Sequence, residues 1–180
     1  MATLIEYEAK ALGIDPAEMA GRIAGNGGTH VADRMMRRYV YDVRPAEPGR
    51  WVRLRDTGSE VTLCLKEITS DSVDGTRETE VEVGDFEATH VLLERLGFHA
   101  KAYQENRRSS WQLDGVRLEI DSWPLIPPYL EIEGDDAEQV WKAARRLGLA
   151  RAELTSENTT AVYARYGLEL EKVTDLRFTA

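Results

Sequence analysis

Acids and bases stand together at alternate positions along several short, β-prone segments. Near the start, Glu6, Glu8 and Lys10 share one side of an extended segment, with Ile5, Tyr7 and Ala9 on the other, because side chains alternate across a strand. The same split sets Arg53 and Arg55 against Val52 and Leu54. It sets Lys66, with Thr62 and Cys64, against Val61, Leu63 and Leu65. Glu78, Glu80 and Glu82 fall together, as do Arg117, Glu119 and Asp121, and then Glu131 with Glu133. Any one such strand suits a half-exposed sheet. Recurrence on nearly every strand does not, since solvent faces usually mix Thr, Ser and Gln among the charges. If the strands close into a barrel with apolar faces outward, the charges are forced inside. Each then needs a partner, a metal ion or water, because desolvating a lone charge costs several kcal/mol. The pattern calls for a wet tunnel holding a charged ligand.

The elements that would position these residues read as follows. A strand over Leu4 to Lys10 leads to a helix capped by Asp15 with Pro16 in its first turn, stopping near Gly27-Gly28. Strands over Arg37 to Val43, Arg50 to Arg55 and Val61 to Glu67 are divided by turn-rich Pro45 to Gly49 and Asp56 to Ser59. After a polar loop from Ser70 to Gly75, Arg77 to Val83 is extended and Asp85 caps a helix running to Gly97. Lys101 to Gln104, Arg108 to Leu113, Val116 to Ser122 and Tyr129 to Glu133 are short strands, with Asp114-Gly115 a two-residue hairpin turn. Helices over Asp136 to Leu147 and Ser156 to Tyr166 finish the chain. No repeat, low-complexity tract or linker divides it. One α+β domain over residues 1–180 is expected, with about eight antiparallel strands closed on themselves, since closure removes exposed edges.

Composition sets the outer bounds. A chain of 180 residues can enclose a core without metal or disulfide staples. One cysteine, Cys64, cannot form an internal bridge, and no leader pattern opens the chain, so the cytoplasm is the expected compartment. No apolar run approaches the about 20 residues of a membrane span. The formal charge of -9 argues against a general nucleic-acid surface and requires any anion site to be local.

Glu6-Tyr7-Glu8-Ala9-Lys10 is an ExExK motif on the first strand, and in this the chain resembles the CYTH, or triphosphate tunnel metalloenzyme, family. The resemblance extends through Arg53-Leu54-Arg55, Leu63 to Lys66, Arg77 to Glu82, Arg107-Arg108, Glu119-Ile120-Asp121 and Glu131-Ile132-Glu133. The family includes class IV adenylyl cyclases, thiamine triphosphatases and inorganic triphosphatases, built on an eight-stranded antiparallel tunnel. It implies Glu6, Glu8, Asp121, Glu131 and Glu133 as carboxylates for Mg²⁺ or Mn²⁺, which prefer oxygen ligands. It implies Lys10, Arg38, Arg53, Arg55, Lys66, Arg108 and Arg117 on the phosphate side, where arginine forks pair phosphate oxygens. Lys10, Arg55 and Glu119 are the expected catalytic residues, with Glu8 a second candidate to orient water. The implied partner is inorganic triphosphate, ATP or thiamine triphosphate, and a homodimer is left open. The implied reaction is hydrolysis of a triphosphate. The alternatives are cyclisation of ATP to cyclic AMP and pyrophosphate, and binding of polyphosphate or nucleotide without catalysis. Asn106 departs from the family where several cyclase-like members carry lysine, while Arg38 offers a base on the second strand.

Other residues are read as structural. His30, His90 and His99 lack ligand-like spacing, and Cys64 lacks a paired base. Gly25-Asn26-Gly27-Gly28 is a helix stop, because a phosphate-binding loop would continue into Lys-Ser or Lys-Thr. Trp123 to Pro128 is a rigid connection over one barrel end, with an aromatic shelf as the alternative.

Overall fold

The computed structural model describes residues 4–43, 46–70, 73 and 75–179, with only the backbone of Leu4, Ile5 and Glu6. The expected turn at Pro45, part of the Ser70 to Gly75 loop and the side chain of Glu6 lie outside the described residues.

Eight strands run β1 (Leu4–Leu12), β2 (Thr29–Asp42), β3 (Arg50–Asp56), β4 (Val61–Ile68), β5 (Thr76–Val83), β6 (Ala100–Leu113), β7 (Val116–Ser122) and β8 (Tyr129–Gly134). Their pairing order is β6-β2-β3-β4-β5-β1-β8-β7, and β7 pairs back onto β6, so the antiparallel sheet closes into a barrel. The β6-β7 corner turns on Asp114 and Gly115 at φ 52° and 85°. Those positive values at both central residues are what a tight hairpin matching the strand twist needs.

Two strands are longer than their local pattern predicts. The expected strand at Arg37 begins instead at Thr29, and the two expected pieces at Lys101 to Gln104 and Arg108 to Leu113 are one strand. These two strands pair along most of their length, from Thr29↔Gln112 to Tyr41↔Ala100, and that mutual ladder carries polar stretches without periodicity of their own. Two further short strands, β9 (Leu154–Thr155) against β1 and β10 (Asp175–Leu176) parallel to β6, were not foreseen.

Apolar strand faces point outward and are covered by helices. Ala9, Ala11, Leu118, Ile120, Leu130 and Ile132 pack under α1 (Pro16–Gly25) and α3 (Ala137–Arg146), through Met19, Ile23, Val140 and Leu147. Leu54, Tyr41, Val52 and Leu63 pack against Phe86 and Leu93 of α2 (Phe86–Arg95). Asp15 and Asp85 cap the first two of these helices as expected, and Asp136, expected inside the third, is its cap. The last helix, α4 (Thr159–Arg165), is capped by Asn158 rather than Ser156. It joins Trp123, Ile126, Tyr129, Leu170 and Leu176 in a third apolar cluster. No helix among the described residues is long and apolar enough to cross a membrane.

Candidate functional site

With the apolar faces spent on the helices, the charged faces enclose a cavity of about 1390 Å³. Glu8, Lys10, Arg38, Arg53, Arg55, Lys66, Arg108, Arg117, Glu119, Glu131 and Glu133 all line it, as expected. Glu78, Glu80, Tyr129 and Trp123 line it too and were not among the expected site residues. The signal for Glu78 and Glu80 was their shared face with Glu82. Cross-strand register then sets Glu78 against Lys66 and Glu80 against Cys64 along β4 and β5, and Glu80 meets its bases, Arg53 and Arg55, from β3.

The carboxylates of β1, β7 and β8 form one wall. Lys10, 2% exposed, donates to Glu8 at 2.7 Å and lies 3.3 Å from Glu131. Arg108 lies 3.3 Å from Glu131 and 3.9 Å from Glu119. Arg117, at a mouth and mostly exposed, pairs with Glu133. Burial alone would push the Lys10 ammonium down, but Glu8 and Glu131 outweigh it and hold it well up. Burial would likewise raise the Glu131 carboxyl, and Lys10, Arg108 and Lys66 override it downward. Glu119 is the exception: its burial wins, so its carboxyl is raised despite Arg108. One of its oxygens is buried and accepts no hydrogen bond.

Asp121 stands behind this wall. It is fully buried, does not line the cavity, and accepts from Arg108 at 2.8 and 2.5 Å and from Asn106 at 2.9 Å. In this arrangement it holds Arg108 rather than facing a ligand.

The basic wall comes from β2, β3 and β4. Arg53 and Arg55 lie 3.3 and 3.4 Å from Glu80, and Lys66 pairs with Glu78. Among the described residues, Arg38 has only the neutral Asn106 as a side-chain hydrogen-bond partner. Burial and the neighbouring Arg53 and Arg108 push Arg55 down to about 10. Burial and the charges of Arg53, Arg55 and Arg108 push Arg38 down as well. The Nε groups of Arg38, Arg53 and Arg55 are buried without an acceptor. Donors left in that state favour an anionic oxygen, which would satisfy them and relieve their repulsion.

The residues also bear on a divalent cation. Among the described residues, Cys64, Glu78 and Glu80 are one trio whose donor atoms all lie within 4.8 Å of one another. That trio suits Mg²⁺ poorly, because it brings a sulfur and its acids are taken by Arg53, Arg55 and Lys66. The expected set on β1, β7 and β8 is all oxygen, which fits a hard cation, and Glu119 beside it on β7 has an oxygen without a hydrogen-bond partner among the described residues. Its members are bridged by Lys10 and Arg108 rather than gathered around one point.

Solved structures share this architecture. A conserved hypothetical protein from Pyrococcus furiosus is 24% identical, with a TM-score of 0.74 over 86% of this chain and 97% of its own. A proposed adenylate cyclase from Vibrio parahaemolyticus is 13% identical, with a TM-score of 0.75 over 91% of this chain and 99% of its own. A proposed adenylyl cyclase from Hippeastrum with a dominant triphosphatase activity is 15% identical, with a TM-score of 0.57 over 92% and 96%. Among curated proteins no sequence matches the chain. The CYTH domain matches residues 4–163, a span that contains the ExExK strand, both charged walls and all eight barrel strands, and the chain belongs to the CYTH family.

Proposed function

We infer that the protein is a metal-dependent triphosphatase acting on inorganic, nucleoside or organic triphosphates. The observation that carries this reading is the opposition of two walls in one cavity: buried arginine Nε donors without acceptors face carboxylates that include an oxygen without a donor. An anion alone would answer the first wall. A polyphosphate with its divalent cation answers both.

Glu8, Glu131, Glu133 and Glu119, with Glu6, are the residues that would hold Mg²⁺ or Mn²⁺. When bound, such an ion supplies a Lewis acid that withdraws charge from phosphate oxygens. Arg53, Arg55, Arg38, Lys66 and Lys10 bind the phosphate chain and neutralise charge as the anhydride bond breaks. Asp121 holds the Arg108 fork toward the same space. Glu119, with its carboxyl raised by burial, is suited to orient a water and take its proton as the water oxygen attacks phosphorus. The P–O bond to the leaving phosphate then breaks, and the leaving group departs as the oxyanion against the basic wall.

The cavity volume favours one further reading. About 1390 Å³ exceeds what a bare triphosphate fills and leaves space for a nucleoside, whose ribose hydroxyl could replace water as nucleophile, as in a class IV adenylyl cyclase. A panel of inorganic triphosphate, ATP and thiamine triphosphate with Mg²⁺ or Mn²⁺, scored for phosphate, pyrophosphate and cyclic AMP, separates the readings. Metal-dependent phosphate release, lost in Glu131→Gln, is expected. Cyclic AMP with pyrophosphate would favour the cyclase, and binding without turnover would reject both.

A further inference from the structure

Arg38 differs from the other bases of the cavity. Lys10, Arg53, Arg55, Lys66 and Arg108 each pair with at least one carboxylate. Arg38 is 8% exposed, hydrogen-bonds the amide oxygen of Asn106 and stacks over Trp123, 4.5 Å from the ring centroid. The Asn106 orientation follows from its neighbours: guanidinium can only donate, so Arg38 takes the amide oxygen, and the carboxylate of Asp121 takes the amide NH₂ at 2.9 Å. Asn106 therefore fixes Arg38 without cancelling its charge.

Trp123 adds the second half. It is 5% exposed, lines the cavity, and its indole N–H is buried without an acceptor. The Arg38 Nε–H is in the same state. Two buried donors with no acceptor among the described residues, one of them charged, thus belong to side chains stacked on one another. Around Trp123, Tyr163 packs edge-on at 6.4 Å and donates to the Pro124 carbonyl, and Val162 and Leu170 join the same apolar cluster, while the cavity also runs along α4 at Thr160 and Ala164.

We propose that Arg38 and Trp123 form a subsite for one phosphoryl group of the substrate, held in place by Asn106. This rests on the triphosphate reading for the identity of the whole ligand, but the subsite itself requires only a phosphoryl oxyanion. An oxyanion satisfies both orphan donors, whereas a neutral acceptor would leave the guanidinium charge unanswered in a buried place.

The test follows the indole N–H signals of the four tryptophans by ¹H–¹⁵N NMR in the full chain, with Trp123→Phe identifying the Trp123 signal. Inorganic triphosphate with Mg²⁺, and inorganic phosphate alone, are titrated separately. The Trp123 signal should move downfield with both. Trp123→Phe, which keeps the ring under Arg38, should weaken triphosphate binding about tenfold, the worth of one hydrogen bond to a charged group. Asn106→Asp, which places a carboxylate on Arg38, should weaken it about a hundredfold and leave the Trp123 signal unmoved at the same phosphate concentration. A Trp123 signal that stays put while triphosphate binds, or unchanged affinity in both folded variants, overturns the subsite. If triphosphate fails to bind but inorganic phosphate moves the Trp123 signal, the subsite stands and the triphosphatase reading falls. Failure of both ligands to move it overturns the subsite.

Discussion

Arg108 on β6 and Asp121 on β7 face each other in cross-strand register and join through two hydrogen bonds, 2.8 and 2.5 Å long, with Asp121 fully buried. The fork fixes the guanidinium in plane and direction, and Asn106 completes the carboxylate. Removing the acid would leave Arg108 without its main partner in a site where burial pushes its charged form down and carboxylates hold it up. Asp121→Ala should therefore lower unfolding free energy by about 3–5 kcal/mol, the cost of breaking a buried pair from one side. Urea denaturation checks it, and a loss under about 1 kcal/mol would show that Arg108 is held by other groups.

Lys10 and Glu131 give stability a pH window. The Glu131 carboxyl is held down in the folded protein, so its contribution is full above the ordinary carboxylate range and fades as pH falls through the lowered value. The Lys10 ammonium is held up, so its contribution is full below about pH 10 and fades only as pH rises further. Lys10→Met removes the shared cation from Glu8 and Glu131. Its deficit should be about 3 kcal/mol near neutrality and should shrink as acid protonates the orphaned carboxylates. Stability measured from pH 3 to pH 9 would refute this if the deficit stayed constant.

Arg55 carries the opposite sign. Its folded state holds the proton less tightly than the free side chain, at about 10, because of burial and of Arg53 and Arg108. The charged form therefore costs stability throughout the range below that value, a cost that lessens as pH rises past it. Arg55→Met should keep or raise the melting temperature while weakening inorganic triphosphate binding by about 2–5 kcal/mol. Calorimetric titration beside a thermal melt reads both, and equal affinity would remove Arg55 from the phosphate path.

Glu119 should behave as a residue kept for function at a cost to stability. Burial raises its carboxyl, so the ionised form is unfavourable above that raised value and the cost vanishes as pH falls below it. Glu119→Gln should leave the metal-free protein at least as stable and reduce triphosphate turnover about 100-fold or more. In the wild type, Mn²⁺ affinity should rise with pH across the acid range, as protons cease to compete for the same oxygen. Wild-type turnover in the Gln variant would exclude Glu119 from the chemistry.

Much of the wall chemistry was legible before any coordinates. Strand alternation alone divides Arg53 and Arg55 from Val52 and Leu54, and a period of two leaves no other sorting once one face is buried under helices. Local turn chemistry likewise placed Asp114-Gly115 and the caps Asp15 and Asp85, because those positions depend on neighbours a few residues away. Trp123 shows the limit of such reading. The surrounding prolines marked a rigid connection, yet the place of Trp123 in the cavity beside Arg38 follows from a contact across 85 positions of chain.

What the sequence by itself determined is therefore which residues face inward and that acids and bases of both signs would be buried together. What only the tertiary structure decided is who meets whom: that Lys10 bridges Glu8 and Glu131, that Asp121 withdraws behind Arg108, that Glu78 and Glu80 answer the basic wall, and that Arg38 is left with a neutral amide. Face is a local property of a strand, set by alternation over a few residues. Partnership inside a closed barrel depends on the stagger accumulated around eight strands and on the closing pair β6 and β7, and no local pattern encodes that sum.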